Sequence, residues 1–258
     1  MRILAFLNQK GGVAKTTSVR NIAEFLKSQH KKILLIDLDP QSNLTASFGE
    51  NKRTLQETIY QLFKLQVERV DYDIHKFIVN IQGIDIIRNN LKFSKADLEF
   101  GNAMSREVIL KKILRNLLPS DYDYILLDCP PALNLITYNA LVACDKVYIP
   151  LEAESFSLEG VADMLDTVEE IRSDLNGSLS IGGVFITRFK IQTNLHKTII
   201  ASLKEYFPTE LMNTYVRENI TVGEANAMKK SILEYSPNSN GAIDYRNLGR
   251  EIIQREGI

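Results

Sequence analysis

Tryptophan is absent from the 258 residues, and cysteine occurs only twice, at Cys129 and Cys144. Two cysteines do not make a disulfide framework, and the count fits a reducing compartment. Charge of either sign is not in excess: 31 basic residues stand against 32 acidic ones, a formal net of −1. That balance excludes global attraction to DNA or to an anionic membrane, so binding to either would need a local patch. No apolar run approaches the roughly 20 residues that a membrane-spanning helix requires. The first strand begins almost at the N-terminus, so neither a signal peptide nor a preceding helix-turn-helix is expected. Internal repeats, low-complexity segments and interdomain linkers are missing as well. The expectation is a cytoplasmic protein with one domain over residues 1–258, because 45% hydrophobic content supplies one large core.

What is present begins at residue 3. Ile3-Leu4-Ala5-Phe6-Leu7 is short, apolar and unalternating, which marks a buried strand. From Ser18 to Lys27, Val19, Ile22, Ala23 and Leu26 recur at helical spacing. Between the two lies Asn8-Gln9-Lys10-Gly11-Gly12-Val13-Ala14-Lys15-Thr16-Thr17. A strand, a glycine-rich turn and a helix form a phosphate cradle, since the turn amides and the helix N-terminus both favour an anion. Lys15 is placed to reach β- and γ-phosphates, and the Thr16 hydroxyl to ligate Mg²⁺. The ordinary pattern G-x-x-x-x-G-K-[ST] is not met, because Gln9 and Ala14 occupy its two glycine positions. A second lysine, Lys10, precedes the glycine pair instead.

Two further strands end in acids. Lys32-Ile33-Leu34-Leu35-Ile36-Asp37 runs into Asp37-Leu38-Asp39-Pro40-Gln41. Its spacing from the first strand makes a βαβ unit with a right-handed crossover. Both carboxylates then lie at the C-terminal edge of the sheet, where open α/β folds bind ligands. Tyr124-Ile125-Leu126-Leu127-Asp128-Cys129-Pro130-Pro131 is a third apolar strand, stopped by a diproline. It reads as a Walker B strand with Asp128 at the metal, followed by a loop able to sense a γ-phosphate. Cys129 reads as a small filler there.

Ile84–Ile87, Lys146–Pro150 and Ile181–Thr187 complete the expected strands. Helices are expected over Leu55–Leu65, Ser105–Leu118, Ser157–Ser173, Thr193–Phe207 and Gly241–Arg255. The helix from Ser105 carries Val108, Ile109, Ile113, Leu114 and Leu117 on its inner side. Arg106 stands out in it, since a helix N-terminus is an unfavourable place for a cation. Strands alternating with helices predict an α/β fold: a doubly wound, mostly parallel sheet with helices on both faces.

The decapeptide resembles the deviant Walker A box, K-G-G-x-x-K-[ST], of the ParA/MinD superfamily, and D-x-D-P-Q is similar to its Walker A′ box. The wording Asn102-Ala103-Met104-Ser105-Arg106-Glu107 is also similar to that family. Three tail segments, Val216 to Ala225, Lys230 to Tyr235 and Ser239 to Tyr245, resemble Soj-type ParA partition ATPases. The resemblance covers nearly the whole chain and implies an ATPase that partitions plasmid or chromosomal DNA.

It implies nucleotide contacts from Lys10, Gly11, Gly12, Val13, Ala14, Lys15, Thr16 and Thr17, with ATP and Mg²⁺ as cofactors. Metal ligation falls to Thr16, Asp37 and Asp128. Catalysis falls to Lys10, Lys15 and Asp39, the last orienting water. Lys10 would cross the interface of an ATP-bound homodimer to the partner's phosphates. The implied partners are a ParB-type centromere-binding protein and nonspecific DNA, with no membrane, which makes the protein nucleoid-associated.

Relatives place residues near the base at Thr187-Arg188-Phe189. Their DNA-binding arginines correspond here to Gln192 and Thr221, so Arg188, Lys190, Arg217, Lys229 and Lys230 become the candidates. Two alternatives stay open. One is a MinD-like ATPase positioning a complex on the membrane, against which the acid-balanced end from Arg250 to Ile258 counts. The other is an amide or biotin-pathway ligase of the same fold, against which Lys10 counts.

Overall fold

The computed structural model describes residues 1–152, 158–189 and 194–257. Seven strands form one sheet: β1 (Arg2–Phe6), β2 (Ile33–Asp37), β3 (Ile78–Ile81), β4 (Ile84–Ile87), β5 (Tyr124–Asp128), β6 (Lys146–Glu152) and β7 (Ser180–Thr187). Their spatial order is β3-β4-β2-β5-β1-β6-β7. Every neighbouring pair is parallel except β3 and β4. The register sets Asp37 beside Asp128 and Phe6 beside Asp128, so the ends of β2, β5 and β1 make one row.

The unalternating apolar strands are explained by two cores, one on each face. Ala5 and Leu7, Leu34 and Ile36, and Ile125 and Leu127 enter one core. Leu4 and Phe6, Ile33 and Leu35, and Tyr124 and Leu126 enter the other. A strand covered on both faces loses its polar positions, as in parallel sheets generally.

Helix α1 (Lys15–Ser28) lays Val19, Ile22, Ala23 and Leu26 on the second core. The short α2 (Asn43–Ser47) adds Leu44 there. On the first core lie α3 (Ile59–Glu68), α4 (Ala96–Phe100), α5 (Ile109–Leu114), α6 (Leu135–Ala143) and α7 (Leu158–Asp174). After α8 (Asn194–Tyr206), the chain returns to the second core through α9 (Ile220–Ala227), α10 (Ile232–Tyr235) and α11 (Asn240–Glu256). Helix α11 crosses α1 closely at Gly249, where a Cβ would lie 2.2 Å from Cδ1 of Phe25. The doubly wound, mostly parallel architecture is the expected one.

Three local expectations need correction. The helix foreseen from Leu55 starts at Ile59, because Thr58 is held extended and Ile59 N–H bonds to the Arg88 carbonyl. The helix foreseen over Ser105–Leu118 shortens to a 3₁₀ turn, Arg106–Val108, followed by α5. Its inner face nonetheless packs as read, with Ile109, Ile113, Leu114 and Leu117 buried. Strand β3 was not foreseen; it pairs antiparallel with β4 through the two-residue turn Gln82-Gly83, both at positive φ.

Candidate functional site

The loop from β1 to α1 owes its shape to two left-handed residues, Gly12 at φ 82° and Ala14 at φ 63°. Ala14 is the N-cap of α1, and its conformation costs an L-residue about 1–2 kcal/mol. Strain of this kind is typical of ligand cradles. No acid lies in the first turn of α1, so its positive end is not neutralised locally. The loop is tied down at three places. Asn8 donates from Nδ2 to the Pro150 carbonyl (2.7 Å) and accepts the Lys10 N–H (2.8 Å). Thr187 donates its hydroxyl to the Val13 carbonyl (3.1 Å). The Lys15 ammonium folds back over the loop onto the carbonyls of Asn8 and Lys10, each at 2.9 Å. Lys15 is buried, and desolvation lowers its pKa.

Three carboxylates face this loop from the sheet edge. Asp128 accepts the Thr16 hydroxyl at 2.7 Å through Oδ2, while its Oδ1 is buried without a hydrogen-bond partner. Asp37 accepts both the N–H (2.8 Å) and the hydroxyl (2.6 Å) of Thr45 through Oδ2. Asp39 accepts the Gln41 N–H at 2.8 Å, and its carbonyl accepts Nδ2 of Asn89 at 3.0 Å. Burial pushes the Asp37 carboxyl up to about 7, against the Thr45 hydrogen bonds. Burial, then the charge of Asp37, raises Asp128 well above the carboxylate range, and burial raises Asp39.

The three carboxyls are thus held back from ionising, and a cation is the group that would favour their charged forms. Among the described residues no three His, Cys, Asp or Glu side chains close into a metal cage. Thr16 Oγ1 beside an under-satisfied Asp128 instead suits Mg²⁺, which takes one or two protein oxygens and completes its shell with water and phosphate.

Loop and carboxylates open into a cleft of about 1150 Å³. Gly11, Gly12, Ala14, Lys15, Thr16, Thr17 and Asp39 line one part of it, and Thr187, Arg188, Arg217, Asn219 and Tyr245 another. Val13 is buried beneath the loop, as are Asp37 and Asp128 at the strand ends. Lys10 does not line the cleft. Its side chain is 46% exposed, with Nζ 3.8 Å from Oε2 of Glu152.

Three of the basic candidates, Arg188, Arg217 and Lys229, line the cleft. Arg188 (φ 52°) pairs with Glu152 at 3.2 Å. Arg217 is clamped bidentately by Asp244, at 2.6 and 2.9 Å. Lys229 (φ 58°) lines the cleft, and Lys230 is exposed beyond it. Lys190 and Gln192 lie outside the described residues. Arg106 bonds to Glu107 and to the Gly101 carbonyl, clear of the cleft. Both cysteines are buried, and burial pushes their thiols up, in keeping with Cys129 as packing.

Several site residues escaped the sequence reading. Thr45 and Asn89 brace Asp37 and Asp39, and the Asn89 N–H bonds to the Thr45 hydroxyl at 2.9 Å. Asn8 and Asp244 act similarly on the loop and on Arg217. A polar residue just past a strand end was the only signal for Asn8 and Asn89, and that signal is common; Thr45 and Asp244 lie within α2 and α11 and gave none.

A family model described as an AAA domain matches residues 1–181. The sporulation initiation inhibitor protein Soj of Bacillus subtilis is 37% identical over 251 residues, covering 97% of this chain and 98% of that protein. The chromosome-partitioning ATPase Soj of Treponema pallidum is 37% identical over 260 residues, covering 99% and 98%. The chain belongs to the ParA/Soj family of partition ATPases.

Solved structures agree with this membership. A putative plasmid partition protein of Borrelia burgdorferi bound to AMPPNP superimposes with a TM-score of 0.78 at 30% identity, covering 99% of this chain and 98% of that one. A cobyrinic acid a,c-diamide synthase of Mycobacterium smegmatis, with ATP analogue and magnesium, gives 0.87 at 27%, covering 99% and 95%. In ParA/Soj terms the three boxes of this chain, at Lys10–Thr17, Asp37–Gln41 and Asp128–Pro131, meet at one sheet edge.

Proposed function

We propose that this ParA/Soj-family chain binds Mg²⁺ and ATP in the cleft, pairs as an ATP-bound homodimer and hydrolyses ATP to drive DNA partition in the cytoplasm. One observation carries the reading. Lys15, Thr16 and Asp39 line one cleft, with Asp128 buried behind it on the Thr16 hydroxyl, while the Lys10 side chain of the same loop is half exposed and faces Glu152. A monomeric phosphate cradle has no use for that second lysine. A dimer does, because two subunits then bring four lysines to two triphosphates and offset their repulsion across the interface.

Thr16 and Asp128 would hold Mg²⁺, with Asp37 behind them, and the ion when bound would neutralise charge on phosphate oxygens. Lys15 would leave the carbonyls of Asn8 and Lys10 for the phosphates. Asp39, fixed by the Gln41 N–H and by Asn89, would orient the attacking water. Loss of the γ-phosphate would then release the dimer, provided ATP favours the paired state more than ADP does. Intrinsic turnover is expected to be slow, because no arginine of this chain is assigned as a finger. A cation from a ParB-type partner would add on the order of 10³–10⁵ in rate, by analogy with GTPases.

Nonspecific duplex DNA is the proposed substrate of the dimer surface. Arg188 and Arg217 already face carboxylates, so Lys229, Lys230 and Lys190 carry that proposal. Each phosphate neutralised would contribute about −0.9 to the slope of log affinity against log salt.

The MinD-like alternative is disfavoured by α11, whose apolar residues Ala242, Tyr245, Leu248 and Ile252 are buried. Among the described residues no helix is long and apolar enough to cross a membrane. The amide-ligase alternative draws on the likeness to the cobyrinic acid a,c-diamide synthase. Molar mass measured in apo, ADP and ATP states, with and without duplex DNA or anionic liposomes, separates the three. The proposal expects a dimer only with ATP, retention on DNA but not liposomes, and ATP turnover without any small-molecule substrate. A monomer in all states, or turnover that requires a carboxylate substrate, would overturn it.

A further inference from the structure

Lys10 has a competitor for its charge within its own subunit. Glu152, at the end of β6, places Oε2 3.8 Å from the Lys10 ammonium and Oε1 3.2 Å from the Arg188 guanidinium. Its side chain is 15% exposed, against 46% for Lys10 and 53% for Arg188, so the acid is the fixed member and the two cations converge on it. Two links hold the backbone that leads into the contact. Asn8 joins the loop to Pro150, two residues before Glu152, while β6 pairs with β7 at Glu152 and Thr187. The cleft is lined by Gly11 and Gly12 but not by Lys10, so Lys10 is held beside the phosphate cradle rather than in it.

We infer that Glu152 is an intramolecular counter-ion that restrains Lys10 and thereby sets the protein concentration at which ATP drives pairing. The inference rests on the proposed role of Lys10 across the dimer interface. A lysine cannot satisfy a carboxylate of its own subunit and a triphosphate of the partner at full strength together. Pairing therefore exchanges the Lys10–Glu152 contact for a Lys10–phosphate contact. The phosphate carries more charge and wins once ATP is bound, while the apo protein keeps Lys10 at home. A partly exposed pair is worth a factor of about 1.5–5 in an equilibrium constant. The dimer contains two such pairs, so releasing both should shift the dimerisation midpoint by the square of that factor, about 2- to 25-fold. Arg188 modulates the effect, because it draws on the same carboxylate from the other side.

The test is the concentration dependence of dimerisation by sedimentation velocity, with saturating Mg²⁺ and a nonhydrolysable ATP analogue. Wild type, Glu152→Gln, Arg188→Gln, Lys10→Ala and the Lys10→Ala, Glu152→Gln double variant are compared. The amide of Glu152→Gln keeps the shape of the side chain and removes its charge. Its midpoint is expected at lower protein concentration, by about 2- to 25-fold, with nucleotide affinity of the monomer unchanged. Arg188→Gln removes one cation that competes with Lys10 for Glu152, and its midpoint is expected to move the other way. Lys10→Ala should stay monomeric, and adding Glu152→Gln in that background should not restore dimerisation.

An unchanged or raised midpoint in Glu152→Gln, with Lys10→Ala unable to dimerise, would overturn this inference and leave the Lys10 reading standing. Dimerisation of Lys10→Ala at the wild-type midpoint would overturn the Lys10 reading itself, and the inference with it. A Glu152→Gln variant that fails to fold leaves the Arg188→Gln shift as the deciding result: a raised midpoint supports the restraint, an unchanged or lowered one refutes it.

Discussion

In the metal-free protein, replacing Asp37 by Asn should make the fold more stable at pH 8. The carboxyl of Asp37 is fully buried at the end of β2, and burial lifts its pKa from the ordinary 3.8 to about 7. The folded chain therefore holds a proton between about pH 4 and pH 7 that the unfolded chain has released. Stability is full below pH 4 and falls as pH rises through 7, because the unfolded state binds fewer protons across that window. A shift of roughly three units at about 1.36 kcal/mol each corresponds to a loss on the order of 4 kcal/mol by pH 8.

Asparagine abolishes that titration and keeps an oxygen for the N–H and hydroxyl of Thr45. It gives up the weaker acceptance of the Asp39 N–H at 3.2 Å, so the net gain at pH 8 should be about 1–3 kcal/mol. Urea unfolding in EDTA at several pH values between 5 and 8 measures it. The variant should show a flatter profile, with the residual slope set by Asp128 and Asp39, which burial shifts in the same direction. Mg²⁺ and ATP should reverse the order, stabilising wild type more than the variant through binding linkage. A variant less stable than wild type at pH 8, with an unchanged pH slope, would refute the reasoning.

Three further outcomes are expected. Gly249→Ala would drive a Cβ into the Phe25 ring at 2.2 Å and force α11 off α1. The cost should be about 1–3 kcal/mol, read as a lowered Tm and partly restored by Phe25→Leu; an unchanged Tm would contradict the packing. Ala14→Gly relieves a left-handed alanine at φ 63°. A relief of about 1–2 kcal/mol outweighs the added freedom of the unfolded chain, about 0.4–1 kcal/mol, so chemical denaturation should show a small gain and never a loss. Asp39→Ala should bind ATP and accumulate a persistent dimer in light scattering, since the water-orienting carboxylate is gone; hydrolysis at the wild-type rate would remove Asp39 from the mechanism.

The strands that build the site were legible because a strand buried on both faces is apolar at every position, as in Ile33-Leu34-Leu35-Ile36 and Ile125-Leu126-Leu127. The acids that end those strands were equally plain, since nothing apolar explains Asp37 or Asp128 there. Periodicity spoke less well where a helix is short. The stripe Ile109, Ile113, Leu114 and Leu117 suggested a long helix, yet α5 ends at Leu114 and Leu117 reaches the core from a turn. The side chains that brace the site from a distance were not legible. Thr45 touches Asp37 from eight residues away and Asn89 reaches Asp39 from fifty, contacts that only the fold creates. The carboxylate facing Lys10 was hidden for the same reason, since Glu152 comes from β6.

The central claim is that one loop carries two lysines with different duties, and a paired measurement of nucleotide affinity and molar mass in Lys15→Ala and Lys10→Ala tests it most directly. Lys15 is buried within its own subunit's cradle, whereas Lys10 stands outside the cleft and half exposed. With a fluorescent ATP analogue and Mg²⁺, Lys15→Ala should lose nucleotide affinity itself. Lys10→Ala should bind the nucleotide measurably, yet stay monomeric by light scattering and fail to turn over ATP. Equal loss of nucleotide binding in both variants, or a Lys10→Ala protein that dimerises as wild type does, would contradict the account.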